Sequence, residues 1–226
     1  MVLRAEKLAP DAADADPKIF VIGMNRTGTT SLHRLFDLSG VPSLHWKDQG
    51  GLHLMHAFMT NIALGLRPFD GFRGFRAFTD LSFLNGNQVI EGARFFRDLH
   101  RAYPDAYFLL NTRPMADWIA SRLAHGQGHF IDNTRAASGY SRAHICDLWE
   151  RMRDGHEAEV EAHFAGNPRF LRFDIATDDP QAIADWLAPD FDIDTAHWQV
   201  RNRRPETASD LGTGKPMTGA QTAGTP

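Results

Sequence analysis

The chain has 226 residues, 42% hydrophobic and 23% charged, which is the make-up of an ordinary globular protein and excludes disordered, collagen-like and repeat architectures. Its formal charge of −4, from 24 basic and 28 acidic side chains, gives it no general attraction for nucleic acid or an anionic membrane, so any anion must be held by a local cluster. With one cysteine, Cys146, there is no intrachain disulfide and no thiolate metal site, and a reducing compartment is favoured.

Residues 1–17 are rich in Ala, Asp and Pro and lack the apolar run of a secretory signal; they read as a mobile leader. Arg4 and Lys7 against Glu6, Asp11, Asp14 and Asp16 put −2 on residues 1–16, and Lys215 against Glu206 and Asp210 puts −1 on 205–226, which leaves −1 for the body. Lys18 to Gly23 is a short apolar run closed by glycine, the form of a buried strand. A helix follows Thr29-Thr30-Ser31, with Leu32, Leu35, Phe36 and Leu38 at helical spacing and Gly40 as the stop. Val41 to Trp46 reads as a second strand, and 52–64 as a helix whose inner face carries Leu52, Met55, Met59 and Ile62. Phe69, Phe72, Phe75 and Phe78 recur among Arg67, Arg73 and Arg76 as an aromatic segment, either pinned to the core or walling a substrate site.

Further on, 88–103 is predicted helical, Ala106 to Thr112 a buried strand, and 115–125 a helix opening after Pro114. His125-Gly-Gln-Gly-His129 reads as a polar loop, a lid or a plain turn. A long amphipathic helix spans 141–164, followed by a strand at 169–174 and a helix at 180–188. Strands alternating with helices predict an α/β fold, a mostly parallel central sheet with helices on both faces and a P-loop-like nucleotide-binding architecture. Such folds bind ligands beyond the carboxyl ends of the strands. The body, 18–204, is expected to be a single domain, and 205–226 a disordered tail with too little apolar surface to fold. Nothing in the sequence approaches a membrane span, and a cytoplasmic location is expected.

The most informative segment is Gly23-Met-Asn-Arg26-Thr-Gly28-Thr29-Thr30-Ser31. A strand, a glycine-bounded loop and a helix start in that order aim backbone N–H groups and the positive helix end at an anion. The Gly-x4-Gly spacing matches a nucleoside-triphosphatase loop, but Thr29 stands where the lysine that contacts the transferring phosphate would follow, which counts against ATP or GTP chemistry. Arg26 puts the cation inside the loop instead.

This segment resembles the sulfotransferase family, whose first strand ends in a loop of the kind Pro-Arg/Lys-Ser-Gly-Thr-Thr; Asn25 and Thr27 are mild departures from it. The resemblance implies a bound 3′-phosphoadenosine 5′-phosphosulfate (PAPS), with Arg26, Thr27, Gly28, Thr29, Thr30 and Ser31 around its 5′-phosphosulfate. It further implies that Arg113, just after the 106–112 strand, and Ser121, eight residues on, hold the 3′-phosphate. Pro114 departs from the acidic or small residue common there.

Sulfuryl transfer needs in-line positioning, cations on the leaving phosphate and a base for the acceptor proton. Arg26, helped by the Thr30 hydroxyl, is the expected leaving-group stabiliser. His45, at the end of the second strand where several relatives carry a catalytic glutamate, and Asp80, after an extended stretch, are the two candidate bases. The expected function is therefore a sulfotransferase moving a sulfuryl group from PAPS to a hydroxyl or amine on a small molecule, sugar, lipid or peptide. The rival readings are a nucleoside-triphosphate-dependent enzyme such as a small-molecule kinase, and a non-catalytic nucleotide-binding protein. No metal site is expected: His53 and His56 are three apart on one helix, but nothing completes a ligand set. Arg201, Arg203 and Arg204 form the densest basic patch, either solvated or a clamp on the cofactor.

Overall fold

The computed structural model describes residues 17–85 and 88–199; most of the leader, the tail and the Arg201, Arg203 and Arg204 patch lie outside the described residues. The chain runs β1 (Ile19–Val21), α1 (Thr29–Leu38), β2 (Ser43–His45), α2 (Leu54–Ala63), β3 (Ala77–Thr79), β4 (Ser82–Asn85), β5 (Gln88–Glu91), α3 (Phe96–Ala102), β6 (Tyr107–Thr112), α4 (Met115–Ala124), α5 (His129–Ser138), α6 (Arg142–His163), β7 (Phe170–Asp174) and α7 (Gln181–Leu187). Five strands form one sheet in the order β2-β3-β1-β6-β7, and every pairing in it is parallel. Parallel strands are covered on both faces, which is why β1 and β6 are buried along their whole length and apolar except at Asn111 and Thr112.

The alternation of each strand sorts its side chains into two layers. Phe20, Phe108 and Leu110 join Leu54, Phe58, Val160 and Phe164 under α2, α3 and α6. Ile19, Val21, Tyr107 and Leu109 face the other way and pack with Leu32, Leu35, Phe36, Ile183 and Leu187 of α1 and α7. A third cluster, Met24, Trp118, Phe130, Ile131, Ile145 and Trp149, seats α4, α5 and α6 against the loop after β1. From β1 the chain crosses to the β2 and β3 side and later returns to β6 on the other side. The direction of winding therefore reverses between β1 and β6, which is where such sheets open a ligand crevice.

Three expectations change. Residues 88–91, predicted as the start of a helix, form β5, paired antiparallel with β4, and the helix proper is only α3. The sequence pair Asn85-Gly86 between two β-prone runs is the hairpin signal that outweighs helical periodicity there. The 52–64 helix exists as α2, but it buries Leu54, Met55, Ala57 and Phe58 and leaves Leu52, Met59 and Ile62 exposed. The inner stripe is set by where Phe58 reaches the aromatic core, not by the commonest apolar spacing. Finally, the loop reading at 125–129 gives way to a tight turn with Gly126 and Gln127 at positive φ, followed at once by the unpredicted α5.

Candidate active site

The loop from Ile22 to Gly28 connects β1 to α1 across the crevice. A Cβ on Gly23 would lie 2.0 Å from the Asn111 backbone oxygen, so only glycine lets the loop approach β6 this closely. Asn111, near the end of the otherwise largely apolar β6, uses that approach: its Oδ1 accepts from Gly23 N at 2.9 Å and its Nδ2 donates to Thr27 O at 2.8 Å. Trp118 of α4 donates its indole N–H to Asn25 O at 2.9 Å. Arg26 sits in the left-handed region at φ 70° and Gly28 at φ 89°. A left-handed residue in such a loop turns successive N–H groups toward one concavity. Among the described residues, the backbone N–H groups from Met24 to Thr30 have no hydrogen-bond acceptor, whereas those of Gly23 and Ser31 do.

Of the residues expected to contact an anion here, Thr27 and Thr29 are buried. The Thr27 hydroxyl is spent inside the loop, donating to Met24 O and accepting from Asn111 at 2.6 Å. An anion in this loop would therefore meet Thr27 and Thr29 through their backbone N–H groups. Ser31 is also buried, while Thr30 is half-buried and offers its hydroxyl to the crevice.

Arg26, Arg113 and Ser121 come together. The Arg26 Nε donates to Ser121 Oγ at 3.1 Å, and an Arg113 Nη donates to the Arg26 carbonyl at 3.4 Å. The resemblance implies that Ser121 and Arg113 share an anion; in the structure the Ser121 hydroxyl accepts from Arg26, which reaches across the crevice to α4. Arg113 Nε is buried without a partner. Neither guanidinium has a carboxylate partner among the described residues, whereas Arg122 pairs with Glu91 and Arg153 with Glu157. Burial lowers the Arg26 pKa from its ordinary value, nearby Arg113 lowers it further, and Asp80 opposes both. Two guanidiniums without a carboxylate partner in a partly desolvated crevice have the chemistry to hold an anion.

His45 ends β2 and Asp80 follows β3, so both candidate bases lie at the carboxyl edge, with His45 Nε2 3.8 Å from an Asp80 oxygen. His45 Nε2 also lies 3.3 Å from Thr30 Oγ1, and its Nδ1 lies 2.9 Å from Thr79 Oγ1. Burial and the Arg26 charge push the His45 pKa down to about 4. Asp80, at φ 52°, accepts from the Ser82 hydroxyl, and burial raises its pKa against the pull of Ser82, His125 and Arg26. Here a neutral imidazole and a reluctantly ionised carboxyl share the floor of the crevice beside Arg26.

Behind these groups lie residues that sequence reasoning missed. Arg153 of α6 donates to Thr112 Oγ1 at 2.7 Å, to Glu157 at 2.7 Å and to the Arg113 carbonyl. His156, one turn on, has its Nε2 2.8 Å from Ile22 O, which can only accept, so His156 donates. One helix therefore anchors the ends of both strands that flank the crevice. The signal was present: Arg153 and His156 fall between Trp149 and Val160 at spacings of four, three and four, polar residues in an apolar stripe. Arg122, buried against Trp118, Phe130 and Trp149 and paired with Glu91, was missed for want of any such pattern.

A family model described as Sulfotransferase domain matches residues 18–167. The chain belongs to the sulfotransferase family. The match to this family takes in the loop, His45, Asp80, Arg113, Ser121 and α6, while β7 and α7 lie beyond it. Among curated proteins no match was found.

In this sulfotransferase domain the aromatic segment divides. Phe69 and Phe78 stack in the core at 4.3 Å, whereas Phe72 and Phe75 are partly buried and line, with Asp48, Leu52, His56 and Thr60, a cleft of about 550 Å³. None of the loop residues, the arginine pair, His45 or Asp80 lines that cleft. His53 and His56 pack against Phe83, with ring centroids 4.9 and 4.3 Å away. No group of described residues could hold a metal ion, and no helix among them is long and apolar enough to cross a membrane.

Proposed function

We propose that this sulfotransferase transfers the sulfuryl group of PAPS to a hydroxyl or amine acceptor. The observation that carries the reading is the combination of unpaired N–H groups from Met24 to Thr30 with two arginines that lack a carboxylate, all at the switch between β1 and β6. This donor set fits a nucleotide phosphorylated at both ends. The loop amides, the Arg26 guanidinium and the Thr30 hydroxyl suit the 5′-phosphosulfate. Arg113, with a buried Nε in want of an acceptor, suits the 3′-phosphate, and Ser121 is held by Arg26.

PAPS, when bound, supplies an activated sulfuryl group on a good phosphate leaving group. The residues of the chain do the rest. Arg26 stabilises the charge that grows on the departing phosphate oxygen. His45 takes the acceptor proton, and Asp80 stands within reach to receive or share it. Trp118, Asn111, Arg153 and His156 keep the loop and both strand ends fixed, so little reorganisation is needed as charge moves.

The test is thermal. Adenosine 3′,5′-bisphosphate should raise the melting temperature by mass action, a gain of about 2.7 kcal/mol at a hundredfold excess over Kd. Arg113→Ala should remove most of that shift. No shift at millimolar ligand, or a shift with magnesium ATP and none with the bisphosphate, would sink the reading.

A further inference from the structure

We infer that Thr79 is a positioning residue that holds neutral His45 in its Nδ1–H tautomer and so leaves Nε2 as the proton acceptor; the inference rests on the reading of His45 as the base. Thr79 Oγ1 has one hydrogen to give and two neighbours, the Leu44 carbonyl at 3.1 Å and His45 Nδ1 at 2.9 Å. A carbonyl oxygen can only accept, so the hydroxyl donates to Leu44. Its oxygen then accepts from the ring, and Nδ1 carries the hydrogen. The lone pair of the neutral imidazole is left on Nε2, which faces Thr30 Oγ1 at 3.3 Å and Asp80 at 3.8 Å.

The rest of the surroundings keeps the ring neutral and in place. From α1, His33 stacks on His45 with centroids 5.3 Å apart and is itself tied to Ser43 Oγ at 2.9 Å. From the loop after β1, the Arg26 charge opposes a second cation on His45. The acceptor O–H or N–H then gives its proton to Nε2 and its electron pair to sulfur. The bond from sulfur to the phosphate oxygen breaks with its pair left on that oxygen. The opposite tautomer would present an N–H to the acceptor and could not begin this step.

The experiment is 15N NMR of the histidine rings at neutral pH on the full chain, with His45→Gln to assign the resonance. The wild type should show Nδ1 protonated and Nε2 bare. Thr79→Val, which keeps the shape and removes the hydroxyl, should shift His45 toward the Nε2–H form, and Thr79→Ser should restore the wild-type form. In parallel, Thr79→Val should lower kcat on the order of 100-fold with KM for PAPS nearly unchanged, and Thr79→Ser should recover most of it. An Nε2–H ring in the wild type overturns the inference even if Thr79→Val fails to fold, and so does an unchanged tautomer in a folded Thr79→Val. The expected tautomers without sulfuryl transfer by the wild type would count against the proposed function and leave the role of Thr79 supported.

Discussion

The two walls of the crevice are built on different principles. On the β1–β6 side, polar side chains that would ordinarily lie on the surface are buried and tied down: Asn111, Thr27 and His156 bond to backbone or to one another, and Thr112 bonds to Arg153 and Glu157. On the side running from Trp46 to Glu91, the contacts are largely aromatic, Trp46 and Asp80 carry positive φ, and α2 leaves Met59 and Ile62 exposed. Buried polar networks fix one geometry because a half-satisfied network is costly, whereas apolar contacts tolerate repacking. On the proposed reading, the fixed geometry of a bound phosphate is served by the first kind of wall, and the acceptor by the second.

Substitutions can break or sharpen this contrast. The largest effect is expected from Gly23→Ala, because its new methyl meets the Asn111 carbonyl at 2.0 Å and a backbone atom cannot swing away. We expect a loss of about 3 kcal/mol or more in denaturant unfolding, enough to prevent folding outright. Next is Arg153→Met, which leaves Thr112 and the Arg113 carbonyl short of a donor, while Glu157 retains Arg172 at 3.5 Å. Roughly 2 kcal/mol should be lost, and binding of adenosine 3′,5′-bisphosphate measured by calorimetry should weaken with it. A full-strength ligand response in that variant would show that α6 is not what holds Arg113.

A smaller effect is expected from pH. His45 and His33 both have pKa values pushed down to about 4, by burial first, then by Arg26 for His45 and by His45 for His33. The unfolded chain, with histidine near its ordinary value, binds more protons between about pH 4 and 6.5. Stability is thus fully present above that window and falls as acid is added through it, by on the order of 1 to 2 kcal/mol for His45. His45→Gln should flatten that part of the melting-temperature profile, and an unchanged slope would contradict the buried, neutral ring. The smallest effect belongs to the opposite wall: Met59→Ser on exposed α2 should change stability by less than about 0.5 kcal/mol. A loss several times larger would mean that this face is covered.

Much of the donor wall was legible because its chemistry is local in sequence. A strand, two glycines, an arginine between them and a threonine run announce an anion loop before any folding is considered. The arginine after β6 could be found by the same reasoning, since a strand end places it at the edge. Ser121 is named by the family resemblance as sharing an anion with Arg113, and helical spacing allows it, but only the folded chain shows its hydroxyl bonded to Arg26. The hairpin at β4 and β5 was lost to a competing helical period, and the buried face of α2 could not be chosen from periodicity alone when apolar residues surround the helix.

The sequence by itself determined the α/β order, and together with the family resemblance it supplied the glycine loop with Arg26 and the candidates Arg113, His45 and Asp80, because each of these rests on bonds and spacings within a few residues. Only the tertiary structure decided that Arg26 and Arg113 stand together with no carboxylate partner among the described residues, that His45 and Asp80 meet, and that Thr79 Oγ1 lies 2.9 Å from the imidazole. These depend on pairings across 34 to 87 positions of chain, and on which groups are stripped of water when the sheet closes. Charge and protonation state are set by that desolvation, which no local pattern encodes.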